Sequence, residues 1–184
     1  TSVCAMCRQC NVLVYPVDTG MVTDTKVRTD LKVMKGTHNM TKGPAMTREE
    51  AIRGIMAGVT AAAELKAEGY QILATGEMGI GNTTTSSAVA SVLMDQPVET
   101  MTGRGAGLTS EGLNRKVAAI KKAIELNRPD PADPVDVLAK VGGLDIAGMA
   151  GVFLGGAALH MPVLMDGFIS CVAALIAMKL CPTA

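Results

Sequence analysis

The chain has 184 residues and a mass of 19.0 kDa, enough for one domain with its own core, and 48% of it is hydrophobic against 18% charged. Seventeen basic and seventeen acidic residues cancel and aromatics are only 2%, which excludes the clustered cationic face and the stacking platforms of nucleic-acid binders. A mean hydropathy of +0.31 excludes a disordered tail.

In chain order, Cys4, Cys7 and Cys10 come first, as C-x-x-C-x-x-C. An iron–sulfur site would need a fourth thiolate, and the next cysteine is Cys171. On a helix the three fall along one face, where they are expected to pack as small hydrophobes. Five cysteines at uneven spacing, the last being Cys181, argue against a disulfide framework. No leader pattern opens the chain, so a reduced, cytoplasmic setting is expected.

Residues 11–17 (NVLVYPV) are Val-rich and predict a strand, and 31–36 (LKVMKG) predict a weaker one. Thr47 followed by Glu50 is a capping box that opens a helix stopping at Gly69. Residues 71–76 predict a short buried strand, 76–82 a glycine loop, and the next stretch a Thr-capped helix of about 11 residues. A second glycine loop covers 101–109, and Ser110 with Glu111 begins an amphipathic helix to about Asn127. After the proline-rich turn 128–134, Asp133 caps a helix with Pro134 in its first position. Asp145 is expected to cap a Gly/Ala-rich helix running to about His160. Residues 146–165 hold no Asp, Glu, Lys or Arg, the length of a membrane span, but Pro162 breaks the run. A helix, a strand at 162–167 and a last helix from about Phe168 to Leu180 account for it better. Alternating helices and short apolar strands predict an α/β fold with a parallel sheet covered on both faces, as one unit over 1–184.

The sharpest chemical feature is GEMGIGNTTT at 76–85. An apolar strand runs into Gly76, Gly79 and Gly81 and then into a helix, whose free N–H groups favour an anion. The spacing matches neither the dinucleotide fingerprint nor the P-loop, and a glycine turn needed only for packing is the competing reading. Glu77 inside this turn suits a ribose hydroxyl, a cationic ring or a proton better than phosphate; otherwise it is a solvated loop residue. Lys116 could add charge to a phosphate near the second glycine loop, or lie on the surface. Asp166 ends a strand on the side where ligands bind in open α/β sheets. The two histidines, His38 and His160, show no metal-ligand spacing, so no metal site is expected.

GEMGIGNTT, GRGAGL, RPDPADPVDVLAKVGG and VLMDGFIS, in this order, resemble the nicotinate-nucleotide–dimethylbenzimidazole phosphoribosyltransferase family. TKGPAMTREEA resembles the segment leading into a long helix of that family. The resemblance implies a Rossmann-like parallel sheet flanked by helices in three layers, with a small helical domain, in a homodimer that needs no metal or cofactor. It also implies transfer of phosphoribose from nicotinate mononucleotide to 5,6-dimethylbenzimidazole, giving α-ribazole 5′-phosphate and nicotinate. Position by position, Glu77 matches an active-site carboxylate in a supporting role. Gly79 and Asn82 match the nucleotide loop, Gly103 and Gly105 the second loop, Lys116 the phosphate site and Asp166 the acidic residue of a D-G-F motif. Met78 and Ile80 border the aromatic ring pocket by the same resemblance.

Two family features do not occur in these 184 residues: an N-terminal D-H-G-V segment and a C-terminal G-E-G-x-G-A motif that carries the main catalytic base. The chain is therefore expected to be a fragment lacking both termini and most of the small helical domain. On its own it should bind nucleotide weakly and turn over little. The alternative is a non-catalytic phosphate-binding α/β module. A nicotinamide-dependent dehydrogenase fits less well, because the glycine spacing is wrong.

Overall fold

The computed structural model describes residues 2–183. Its elements run α1 (Ser2–Gln9), α2 (Arg48–Ala67), β1 (Leu73–Ala74), α3 (Asn82–Leu93), α4 (Val98–Met101), α5 (Ser110–Asn127), α6 (Pro134–Val141), α7 (Leu144–Ala158), β2 (Val163–Leu164) and α8 (Phe168–Leu180). The chain is α/β, helix-rich around a small parallel sheet.

Where the start signals are local, helices form where the sequence places them. The Thr47 hydroxyl accepts the Glu50 N–H, and the Glu50 carboxylate accepts the Thr47 N–H, so the capping box closes at α2. At α6, Asp133 Oδ1 accepts from the N–H groups of Val135 and Asp136, each at 3.1 Å. The same carboxylate takes the Arg48 guanidinium at 2.6 Å, which ties the start of α2 to the start of α6. That hydrogen bond holds the Asp133 carboxyl below its usual range. Its contribution is thus complete above the unfolded carboxylate pKa of about 4 and is lost as pH falls through the lower folded value. Asp133→Ala is expected to lower stability by about 1–2 kcal/mol at neutral pH, read from denaturant midpoints, with the difference from wild type shrinking in acid.

One core collects Val89, Ile120, Val137, Leu138, Val141, Ile146 and Ile176 where α3, α5, α6, α7 and α8 meet. α2 and α7 lie backbone to backbone: a Cβ on Gly58 would stand 1.8 Å from the Gly148 carbonyl oxygen, and one on Gly151 1.8 Å from that of Ile55. The apolar stretch 146–165 divides into α7, a turn and β2, and no helix among the described residues is long and apolar enough to cross a membrane.

The strands are shorter than expected. β1 and β2 pair in parallel, with Leu73 opposite Val163 and Ala74 opposite Leu164. The face carrying Leu73, Thr75 and Val163 turns inward, whereas Ile72, Ala74 and Leu164 are exposed. Residues 11–17 make one isolated bridge, Val17 to Arg28, and no strand. Val12, Leu13 and Val14 are exposed, so their β-propensity finds no packed neighbour, and Pro16 removes a donor. This segment is strapped to α2 instead: the Tyr15 hydroxyl donates to Glu64 Oε2 at 2.9 Å, and Arg28 bonds Tyr15, Glu64 and Asp30. Residues 31–36 likewise form a loop, with Val33 N–H on the Thr19 carbonyl and Gly36 N–H on that of Gly20. α1 buries no side chain, so its two cysteines, the half-buried Cys4 and Cys7, do not pack into a core, and Cys10, just past its end, is exposed.

Candidate functional site

At the end of β1 the chain enters the first glycine turn. Gly79 (φ 71°) and Gly81 (φ 80°) both take the left-handed conformation, which side chains disfavour, and this lets the backbone double back into α3. Gly81 is the N-cap of α3 and no side chain caps it, contrary to the expected threonine cap. The hydroxyls nearby point elsewhere: Thr85 and Ser86 donate to the Asn82 carbonyl, and Ser87 donates to that of Thr83. The first N–H groups of α3 therefore stay available to an anion.

Asn82, the first residue of α3, joins two carboxylates. Its Nδ2 donates to Glu77 Oε2 at 2.6 Å and to Asp145 Oδ2 at 2.7 Å. These bonds fix the amide orientation, since a flip would set its carbonyl against both anions. Its Oδ1 is buried without a partner, a state that costs about 1–3 kcal/mol and that the two charged acceptors offset. Asp145 is thus not the cap of α7. Gly143 holds that position without a side chain, and Asp145 sits in the first turn facing Asn82.

Thr83, the next residue along, faces the second glycine loop. Lys116 Nζ, from α5, donates to Thr83 Oγ1 at 2.8 Å and to the Gly103 carbonyl at 3.2 Å. Gly105 (φ 59°) approaches so closely that an added Cβ would lie 3.0 Å from Thr83 Oγ1. The three elements border a half-open cavity of about 420 Å³, within the range of small-molecule sites. Thr83, Ser87, Gly103, Gly105 and Lys116 line its polar side, while Met101 and Phe168 supply an apolar wall. Lys116 is only 8% exposed, and burial pushes its ammonium below the ordinary lysine pKa. Among the described residues no carboxylate lies within ion-pair distance of it, and both of its acceptors are neutral. Arg104 in the same loop is spent on the loop itself, donating to the Leu108 carbonyl and the Ser110 hydroxyl.

The structure brings Glu77, Gly79 and Asn82 together at one turn, and Gly103, Gly105 and Lys116 around one cavity, with consecutive residues Asn82 and Thr83 linking the two. Met78 and Ile80 project into solvent, 73% and 83% exposed, and are outside the lining of this cavity. Asp166 is exposed, its N–H on the Ser170 hydroxyl at 3.3 Å, and is outside the cavity lining. Sequence reasoning did not single out Thr83, Asp145 as a partner of Asn82, or Phe168. Only the position of Thr83 beside Asn82 could have suggested it. Among the described residues no group of three or more His, Cys, Asp or Glu could hold a metal ion.

A family model described as Phosphoribosyltransferase matches residues 1–184. A protein of Acetivibrio thermocellus named nicotinate-nucleotide–dimethylbenzimidazole phosphoribosyltransferase is 60% identical over 151 residues, covering 82% of this chain and 43% of that protein. One of the same name from Alkaliphilus metalliredigens is 52% identical over 99% of this chain and 53% of its own length. The crystal structure of CobT from Thermus thermophilus superposes with a TM-score of 0.91 at 40% identity, covering 99% of this chain and 55% of that one. The chain spans about half the length of the curated relatives it matches. With a family model matched end to end, the chain belongs to the nicotinate-nucleotide–dimethylbenzimidazole phosphoribosyltransferase family.

Proposed function

We propose that this chain is the nucleotide-binding core, a single α/β unit, of an enzyme that moves phosphoribose from nicotinate mononucleotide to 5,6-dimethylbenzimidazole. The observation that carries the reading is the cavity where the buried Lys116 ammonium, the Gly103–Gly105 backbone and the uncapped start of α3 converge. It suits a 5′-phosphate, which would supply the counter-charge Lys116 lacks. Gly79 and Asn82 hold the nucleotide beside it. Glu77 faces the ribose and the cationic pyridinium, orienting the nucleotide and stabilising positive charge on the sugar. Met78 and Ile80 border the incoming ring once it is seated, and Asp166 closes the same crevice.

In the reaction, a benzimidazole nitrogen attacks ribose C1′ from the face opposite the pyridinium, which inverts β to α. The C1′–N bond breaks and its electron pair leaves with the nicotinate ring, now neutral, so no acid is required there. The attacking nitrogen uses its lone pair, and the proton on the other ring nitrogen passes to a carboxylate base, which the family resemblance places in the C-terminal G-E-G-x-G-A motif. Holding both rings in line supplies much of the acceleration. We further propose a cytoplasmic homodimer, and that turnover requires segments present in the relatives beyond the matched length.

The test uses the gene product extended to the relatives' length, with nicotinate mononucleotide and dimethylbenzimidazole as substrates. Nicotinate and α-ribazole 5′-phosphate are expected by chromatography and mass, with kcat lowered about 100-fold in Glu77→Gln. No product with any benzimidazole, purine or phenol would sink the transferase and leave a phosphate-binding module.

A further inference from the structure

We propose that Asp145 is a positioning residue of the active site: acting through Asn82, it aims the Glu77 carboxylate. The inference rests on the transferase reading for its kinetic consequence, but on geometry for its mechanism. A single nitrogen, Asn82 Nδ2, carries two hydrogens, and each is given to one carboxylate. Asn82 begins α3, Glu77 lies in the glycine turn before it, and Asp145 comes from the first turn of a different helix, α7. Of the three, the glycine turn is the segment least able to hold its own side chain, having left-handed glycines on either side of Ile80. The fixed points are therefore α3 and α7, and the amide transmits their placement to Glu77.

Two further observations support the assignment. The Asn82 Oδ1 atom stays buried and unpartnered, so the amide is held for what its nitrogen does rather than for full satisfaction. Gly143 leaves room for the Asp145 side chain, because a Cβ there would lie 2.7 Å from Asp145 Oδ1. The cheapest response to such a Cβ is for the Asp145 carboxylate to swing away, which breaks its bond to Asn82 while the backbone keeps its course.

Three variants in the extended enzyme separate the possibilities. Asp145→Ala is expected to lower kcat about 10- to 100-fold, the scale of a misaimed catalytic group, with KM for nicotinate mononucleotide changed by less than about threefold. Gly143→Ala should do the same to a smaller extent. Asp145→Asn keeps an oxygen that can accept from Asn82 Nδ2 and should recover most of the activity. If Asp145→Asn is as impaired as Asp145→Ala, charge and not aim is what matters, and the proposal is overturned; so too if Asp145→Ala keeps wild-type kcat. An independent readout needs no reaction: the two Asn82 side-chain amide protons in the ¹⁵N spectrum of this chain. In wild type both should be well resolved and shifted by their carboxylate partners, with one losing its shift in Asp145→Ala and regaining it in Asp145→Asn. Inactive wild-type enzyme would defeat the transferase reading, whereas unchanged amide signals in Asp145→Ala would defeat the positioning role.

Discussion

In the enzyme extended to the relatives' length, Lys116→Met is expected to lower kcat/KM for nicotinate mononucleotide about 30-fold or more while leaving the free protein as stable as before, or more so. The two halves of this outcome have one cause. Lys116 is buried with two neutral acceptors, Thr83 Oγ1 and the Gly103 carbonyl, and burial disfavours its charge. With no anion beside it the buried ammonium is therefore a liability that methionine, of similar length and no charge, removes. Against a phosphate the same burial strengthens the attraction, and truncating one partner of such a pair costs about 2–5 kcal/mol. That converts to roughly 30-fold or more at 1.4 kcal/mol per tenfold. Because the ligand selects the protonated lysine, affinity should fall as pH rises through the lowered folded-state value, earlier than the roughly 10.4 of an exposed lysine. The phosphate loses its second proton near pH 6 and does not titrate in that window. Stability of the free chain has the opposite slope there: between the lowered folded value and the unfolded one the unfolded chain binds more protons, so stability rises with pH. Calorimetric titration of mononucleotide between neutral and alkaline pH reads the effect. Binding by Lys116→Met equal to wild type would remove the phosphate from this cavity.

How the site reads from sequence depends on how local each signal is. Thr47 with Glu50, and Asp133 with Pro134, were legible because cap and helix lie within four residues of each other. The glycine turn at 76–82 was legible for the same reason, as the backbone freedom it needs is written in Gly79 and Gly81. Lys116 was not, except by resemblance: α5 is amphipathic and many of its residues are exposed, and only contact with Thr83 and the second loop buries this lysine. Asp145 was misread because an acidic residue after Gly-Gly looks like a cap. The cap falls two residues earlier, at Gly143, and that shift turns Asp145 toward Asn82, 63 positions upstream in sequence. The strand expected at 11–17 failed for the converse reason. A Val-rich run records fitness for a half-buried pleat, and no neighbouring strand or packed face meets Val12 and Val14.

The contact between α2 and α7 left only a surplus of Gly and Ala in the sequence, yet it should be the most sensitive place in the fold. Gly58→Ala is expected to destabilise by about 3 kcal/mol or more, and Gly58→Ala with Gly151→Ala to abolish cooperative folding. Alanine favours a helix over glycine by about 1 kcal/mol, so propensity alone predicts the reverse sign. Sterics decide. The Gly58 Cβ would lie 1.8 Å from the Gly148 oxygen and 2.7 Å from the Val152 nitrogen, while that of Gly151 would lie 1.8 Å from the Ile55 oxygen. All of these are backbone atoms of regular helices, which cannot rotate out of the way as a side chain can. The helices must separate, and Ile55, Ala62 and Ala147, buried along them, lose contact together. Overpacking a single side chain commonly costs about 1–3 kcal/mol, and moving a whole helix exceeds that, against a total stability of about 5–15 kcal/mol. Gly43→Ala is the control, since a Cβ there meets nothing within 4 Å; it should change stability by less than about 0.5 kcal/mol. Urea midpoints of the three proteins make the comparison. Because Asp145 stands on the first turn of α7, Gly58→Ala in the extended enzyme, if it still folds, should also show a lowered kcat, as α7 can no longer present that carboxylate to Asn82. A Gly58→Ala protein with wild-type stability would mean that the two helices do not touch along these glycines.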